Sequence, residues 1–346
     1  MLFKIEQDTG DIVSGWLVLD RPDAIPKVRV VTPGSTVVLE ANVVRPALKT
    51  RGLHTTGKAG FRIDTRIVPN IKKVDDLEVR DAESDLLLYR RQRPQHLPRR
   101  LFRCQFQMLP HSQLEETFSH HFAMSYPAAE RFTFDQLSSI IANPCAQSIH
   151  LCGRPLFSRY ERALRDNSFI TVALLSDPFE ELAEKLLFLR FVAGGNGHAS
   201  LNQYLTGYES LLELASNIDL SDETSLAAAF RGLSGAHRQA LSNPFTRTLA
   251  CDPDELPTAR HLGVALTNLA RMDLVGLTSH YEDFALGFNE LLGKNVLQNH
   301  QPAQVSWTPI FGAKLSQIEE VKDLLSIDIE LHSRVTEAVE SALGKL

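Results

Sequence analysis

Two stretches of the sequence bring together groups able to hold an anion. The first runs from Phe169 to Lys185. Here an unbroken apolar segment, Phe169-Ile170-Thr171-Val172-Ala173-Leu174-Leu175, gives way to Ser176-Asp177-Pro178-Phe179-Glu180. Such a segment predicts a strand covered on both faces, as in a parallel sheet. Asp177 suits a helix N-cap, Pro178 the first helical position, and Glu180 completes a capping box. A helix opening at the carboxyl end of a parallel strand offers free backbone N–H groups and the positive end of its dipole. The plainer reading is a well-capped helix with nothing bound. The second stretch holds Arg90, Arg91, Arg93, Arg99, Arg100 and Arg103 with Pro94, His96 and Pro98, and no acid among them. It reads as a linker whose arginines pair with acids on either side. An anion-binding strip for polysaccharide, lipid headgroup or phosphate is the alternative.

Other reactive side chains are scattered. Cys104, Cys145, Cys152 and Cys251 lack C-x-x-C spacing, so reduced and mostly buried thiols are expected. His111, His120 and His121 do not form a metal site by spacing, because adjacent histidines on a helix point to different faces. Gly194-Gly195-Asn196-Gly197 follows a helix rather than preceding one, and reads as a C-cap and turn. No G-x-S-x-G, H-E-x-x-H or Walker pattern occurs.

The elements that must position these groups fall into two parts. Up to Arg91 the pattern is β-like. Gly15–Asp20, Val28–Val31, Thr36–Glu40, Gly60–Asp64 and Leu86–Tyr89 are short strand candidates, with a Pro33-Gly34-Ser35 turn between the second and third. A small β-sandwich over residues 1–91 is expected, then an Arg- and Pro-rich linker over 92–100 and an α/β domain over 101–346. Helices are expected at Ser119–Tyr126, Thr133–Ile141, Phe179–Phe191, Tyr208–Leu214, Ser225–Phe230, Ala259–Arg271, Ser279–Leu292 and Leu315–Leu343. Met272–Leu277 is a further buried-strand candidate. The fold class is thus α/β, a parallel sheet wrapped by helices and preceded by a β-sandwich-like domain. With 346 residues, 43% hydrophobic and 23% charged, the chain can bury a proper core. A net charge of -6 gives no drive toward nucleic acid. No apolar run approaches about 18 residues, so no transmembrane segment and a cytoplasmic setting are expected.

Several of these segments, in order, resemble the carbohydrate sulfotransferases. Thr171–Glu184 is similar to the family's L-R-D-P-x-x-R-x-x-S. Asn243-Pro244-Phe245-Thr246-Arg247-Thr248-Leu249 resembles N-x-x-T-R-x-L. Ala265–Leu269 with Val275–Phe284 resembles A-x-x-N-L followed by V-G-L-x-E-x-F, and Leu324–His332 resembles the terminal L-L-x-x-D-x-x-L-Y. Together they span about Pro98 to Leu346, and they imply a sulfotransferase/P-loop-like fold. The N-terminal part resembles small domains ahead of bacterial glycan-related transferase-like modules.

The resemblance implies binding of the sulfuryl donor PAPS through Gln107, Ser112, Ser176, Glu184, Asn243 and Arg247, with chemistry at His150 and Arg154. At these positions the sequence departs from the family. The segment matching the phosphosulfate loop P-K-T-A-G-T-S, Phe102 to Ser112, has no glycine, and Gln107 stands for its Lys. Glycine lets backbone N–H groups close on phosphate, and Pro110 supplies no N–H at all. Ser176 stands for the Arg and Glu184 for the Ser that hold the 3′-phosphate. Arg154 stands for the His of G-H-x-P-F; it can bind an anion but cannot act as a base. His150, two residues earlier, is the remaining base candidate. The expectation is a degenerate sulfotransferase-like protein. It would be a binding or scaffold component in bacterial surface or extracellular polysaccharide production. A glycan or glycan-pathway protein is the expected partner, and PAPS or its product PAP a ligand only if the donor site works. The alternative is an active carbohydrate sulfotransferase or other glycan-modifying transferase with a reshaped pocket. Self-association or a hetero-complex stays open.

Overall fold

A computed structural model describes residues 1–196, 199–298, 300–302 and 305–344. Eight antiparallel strands come first: β1 (Leu2–Asp8), β2 (Val13–Val18), β3 (Lys27–Thr32), β4 (Ser35–Glu40), β5 (Val43–Val44), β6 (Lys58–Ile63), β7 (Glu78–Asp81) and β8 (Leu87–Arg90). They form two four-stranded sheets, ordered β1-β2-β6-β5 and β4-β3-β7-β8. Alternation drives them together. Phe3 and Ile5 of β1, Val28 and Val30 of β3, and Phe61 and Ile63 of β6 are buried in one core, while their neighbours in sequence face outward. The expected Pro33-Gly34 turn joins β3 to β4, with Thr32 paired to Ser35.

Five parallel strands follow: β9 (Arg100–Gln105), β10 (Met124–Tyr126), β11 (Ile149–Gly153), β12 (Phe169–Leu175) and β13 (Leu274–Leu277). Their order is β10-β11-β9-β12-β13, and every neighbouring pair is parallel. Helices cover the faces, as parallel sheets require. The chain leaves the central β9 toward β10 and β11, then crosses to β12 and β13. The carboxyl ends of β9 and β12 therefore flank a topological switch point, where sheets of this kind place their ligands.

The antiparallel sheets pack onto this unit and are tied to it by specific bonds. Phe3 N–H donates to Ser139 Oγ at 3.2 Å, Tyr126 OH to Leu87 O at 2.8 Å, and Asn143 Nδ2 to Leu88 O at 3.2 Å. The arginine strip between the two parts is largely consumed internally. Arg90 pairs with Asp76 at 2.9 Å, Arg91 with Asp8 at 2.8 Å, and Arg100 donates to Ala146 O and Asn143 O. Arg90 and Arg91 thus pair with acids of the N-terminal part, whereas Arg100 meets backbone carbonyls of the parallel-sheet unit. The four cysteines are free thiols, Cys145 half-buried and the others buried.

Two helix expectations are corrected. The segment read as a helix over Ser119–Tyr126 is the end of a helix, Ser112–His121, followed by β10. Leu114 and Phe118, one turn apart, face the core, whereas Met124 and Tyr126 alternate into the sheet. The last helix is not continuous from Leu315. A separate helix, Thr308–Leu315, ends there, and the expected span is divided into Glu319–Leu324 and Ser326–Ala342. The last of these starts where Asn243 Oδ1 accepts from Ile327 N–H at 2.9 Å and Asp328 N–H at 3.0 Å. Asp328 returns the favour, accepting from Phe245 N–H, Thr246 N–H and Thr246 Oγ1 at 2.7–2.8 Å. Two helix starts thus cap each other. Gly195, with φ 78°, closes the turn after the helix Pro178–Phe191; Gly197 lies outside the described residues.

Candidate functional site

A cavity of about 450 Å³ opens at the carboxyl ends of β9, β12 and β13. Gln107 enters from the segment after β9, Ser176 and Asp177 from the β12 turn, and Thr278, Ser279 and Tyr281 from the segment after β13. Glu180, Glu181 and Glu184 come from the helix Pro178–Phe191, and Thr308 and His332 from the two later helices. Gly312 lets the Thr308 helix approach, because a Cβ there would lie 3.1 Å from Glu180 Cα. Among the described residues no lysine or arginine lines this cavity. Burial holds His332 below its ordinary pKa, so it brings no charge at neutral pH.

The helix start that could have held an anion is already occupied. Asp177 Oδ1 accepts from Phe179 N–H at 2.9 Å and Glu180 N–H at 3.1 Å, and Asp177 O from Glu181 N–H at 2.9 Å. Pro178 has no N–H to give. The expected capping by Asp177 and Pro178 is present, and it spends the donors on the protein itself.

Glu184 does the same further along this helix. It is 2% exposed, and its carboxyl accepts from Gln107 Nε2 at 3.2 Å and from Leu109 N–H at 3.4 Å. An internal carboxyl therefore occupies the Gln107 amide and one backbone N–H of the glycine-free loop. Gln107 is held in turn by His111 Nε2, 3.2 Å from its Oε1. That oxygen can only accept, so the ring nitrogen carries the proton. Burial drives His111 down to about 4, so it stays neutral. Burial and the neighbouring Glu181 push Glu184 up to about 8. Glu181 accepts from Ser176 Oγ at 3.1 Å through Oε2, and its Oε1 lies 3.9 Å from Lys185 Nζ. Lys185 is itself buried, with Nζ 4.9 Å from the Tyr208 ring centroid.

The cavity thus brings together three of the residues singled out from sequence: Gln107, Ser176 and Glu184. The others lie elsewhere. Ser112 is exposed at the start of its helix. Asn243 is the buried cap described above, and Arg247 donates to Gln239 O. His150 is fully buried in β11, stacked 4.1 Å from the Phe118 ring, with Nδ1 2.8 Å from Ser125 Oγ. It does not line the cavity, and burial keeps it neutral. Arg154 is locked to Glu130, Nη2 to Oε1 at 2.7 Å and backbone N–H to Oε2 at 2.8 Å, and also donates to Tyr204 O. Arg154 and Arg247 line a separate cavity of about 240 Å³. Gly153 makes the Glu130 contact feasible. Its φ is 147°, and a Cβ there would lie 2.2 Å from Glu130 Oε2.

Sequence reading passed over Glu181, Tyr281, Thr308 and His332. A trace was available for one of them. Glu181, Glu184 and Lys185 share i, i+3, i+4 spacing, which sets three charges on one helix face beside the apolar Leu182 and Leu186. Among the described residues no group of three or more His, Cys, Asp or Glu side chains is placed to hold a metal ion. No helix among them is long and apolar enough to cross a membrane. No protein-family model matches the chain, and no curated protein matches it.

Proposed function

We propose that the chain is a sulfotransferase-like protein that no longer takes the sulfuryl donor, and that it works as a binding or scaffold component in bacterial polysaccharide production. The observation that carries this reading is the occupation of the phosphate-binding positions by the protein's own acids. Glu184 sits on the donors of the Gln107 loop, and Asp177 on those of the helix start. The frame supports the likeness: five parallel strands with a cleft at the switch point. The electrostatics oppose the donor. A phosphate set about 4 Å from one carboxylate meets a repulsion of about 4 kcal/mol at an effective dielectric of about 20. Asp177, Glu180 and Glu181 all line the cleft, and among the described residues no lysine or arginine lines it, Lys185 lying behind Glu181 at 3.9 Å.

The cleft is open rather than filled, so a ligand of neutral or positive charge is favoured over mere structural retention. Calorimetric titration with PAP tests the reading. No heat of binding is expected up to about 1 mM, and a micromolar Kd would overturn it in favour of an active transferase with a reshaped pocket.

A further inference from the structure

Two buried polar atoms in the wall of the cleft lack hydrogen-bond partners among the described residues. One is Glu181 Oε1 and the other is Thr308 Oγ1; each residue is 2% exposed, and both line the same cavity. They are supplied by two helices packed against each other, Glu181 from the helix Pro178–Phe191 and Thr308 from the first position of the helix Thr308–Leu315. Leaving such atoms unmade is costly, so native structures satisfy them. Their chemistry is specific. A carboxylate oxygen accepts only, while a threonine hydroxyl can give or take a proton. Lys185 lies 3.9 Å behind Glu181 Oε1, beyond hydrogen-bonding reach, and does not line the cavity.

From these two atoms and the charge around them we infer that the cleft binds a small polyhydroxylated ammonium compound, of the amino-sugar class, with its ammonium on Glu181 and a hydroxyl on Thr308. The inference rests on the donor-free reading above and supplies its ligand class. The acids Asp177 and Glu180 add to the attraction for a cation; among the described residues no lysine or arginine lines the cavity, and the one cation beside Glu181 Oε1 is Lys185, 3.9 Å behind it. The remaining lining suits hydroxyl groups: Thr278 and Ser279 can each donate or accept, and Ser176, whose proton goes to Glu181, can accept. A volume of about 450 Å³ falls within the range of small-molecule sites and fits a sugar unit with its water. An anionic sugar is disfavoured by the same acids. A neutral sugar would satisfy Thr308 but would give Glu181 a weaker, uncharged donor.

The test is calorimetric titration of the full chain at pH 6.5 with glucosamine, N-acetylglucosamine, glucose and spermidine, with PAP in the same series. Glucosamine is expected to bind at least about tenfold more tightly than each of the other three. Glu181→Gln should weaken glucosamine about tenfold or more, and Thr308→Val about threefold to tenfold. Thr308→Val, close in shape and outside the buried charge cluster, keeps the test valid if Glu181→Gln misfolds. N-acetylglucosamine or glucose binding as well as glucosamine would overturn the inference, because the ammonium would then be irrelevant. Spermidine binding as well would overturn the hydroxyl requirement. Silence of all four up to about 10 mM would overturn it too, the two atoms then being satisfied by water alone. Binding of PAP would instead defeat the donor-free reading on which it stands.

Discussion

Replacing Glu184 with glutamine isolates the energetic cost of keeping a buried acid against the Gln107 segment. The carboxyl is nearly inaccessible and titrates at about 8 instead of its ordinary 4.5, first because burial disfavours the charge and then because Glu181 is close by. The backbone N–H of Leu109, Lys185 and Arg154 pull the other way but do not prevail. Between these two values the unfolded chain has released the proton while the folded chain still holds it. Stability therefore falls as pH rises through that window, and the whole penalty is in force above about 8. A separation of this size corresponds to about 4–5 kcal/mol. Glu184→Gln keeps an oxygen to accept from the Gln107 loop and removes the titration. Urea unfolding of both proteins at pH 5, 7 and 8.5 gives the comparison, since the difference between the curves cancels the titrating groups that do not interact with Glu184. The wild type should be close to the variant at pH 5 and fall behind it by about 3 kcal/mol or more at pH 8.5. Parallel curves, or a wild type that gains on the variant as pH rises, would refute the reasoning. Either result would mean that the carboxylate is ionised and stabilised where it sits.

Three further substitutions probe other parts of the frame. His150→Phe should leave ligand binding unchanged and should lessen the wild type's loss of stability as pH falls below about 6.5, where the unfolded chain accepts a proton that the buried ring refuses; a change in ligand affinity would return His150 to the site. Asp328→Ala strips the acceptor from three buried donors and should cost about 3–5 kcal/mol in urea unfolding. Combined with Asn243→Ala it should cost less than the two separate losses added together, because both caps hold one pair of helices. Gly153→Ala forces a Cβ against Glu130 and parts it from Arg154. A loss of about 3–5 kcal/mol is expected in the same assay, and an unchanged midpoint would show that the pair can shift without penalty.

How much the sequence disclosed depended on how local each cause was. The strand Phe169–Leu175 is observed with the predicted limits, because its apolar run and the Asp177-Pro178 stop are contiguous. The β3–β4 hairpin and the helix beginning after Thr133 follow from equally local signals. The break before Ser326 was hidden, since the residue that caps it is Asn243, far away in the chain. β10 and β11 were hidden because their partners are other strands, whose pairing no local pattern records. In the site, Gln107, Ser176 and Glu184 were found through a family likeness, and they do meet in one cavity. The acidity of that cavity could not be read, because it depends on which side of the helix Pro178–Phe191 the later Thr308 helix covers. His150 shows the converse. Its residue type suggested chemistry, yet Phe118 and Ser125 enclose it from segments that only the fold brings near.

The mutual caps at Asn243 and Asp328 also set a schedule for the nascent chain. As the ribosome delivers the helix Pro244–Ala250, its first amide groups have no acceptor. The carboxylate that will receive them is still 82 or 83 residues from being made. Asn243, at φ 45° in the folded protein, likewise lacks the turn it will cap until that turn is made. The parallel sheet is complete at Leu277, so translation finishes the sheet before the bolt that closes the helical half exists. Closing so long a loop is slow compared with forming helices locally. A ribosome stalled short of Asp328 would therefore display a finished sheet beside helices still open to chaperones.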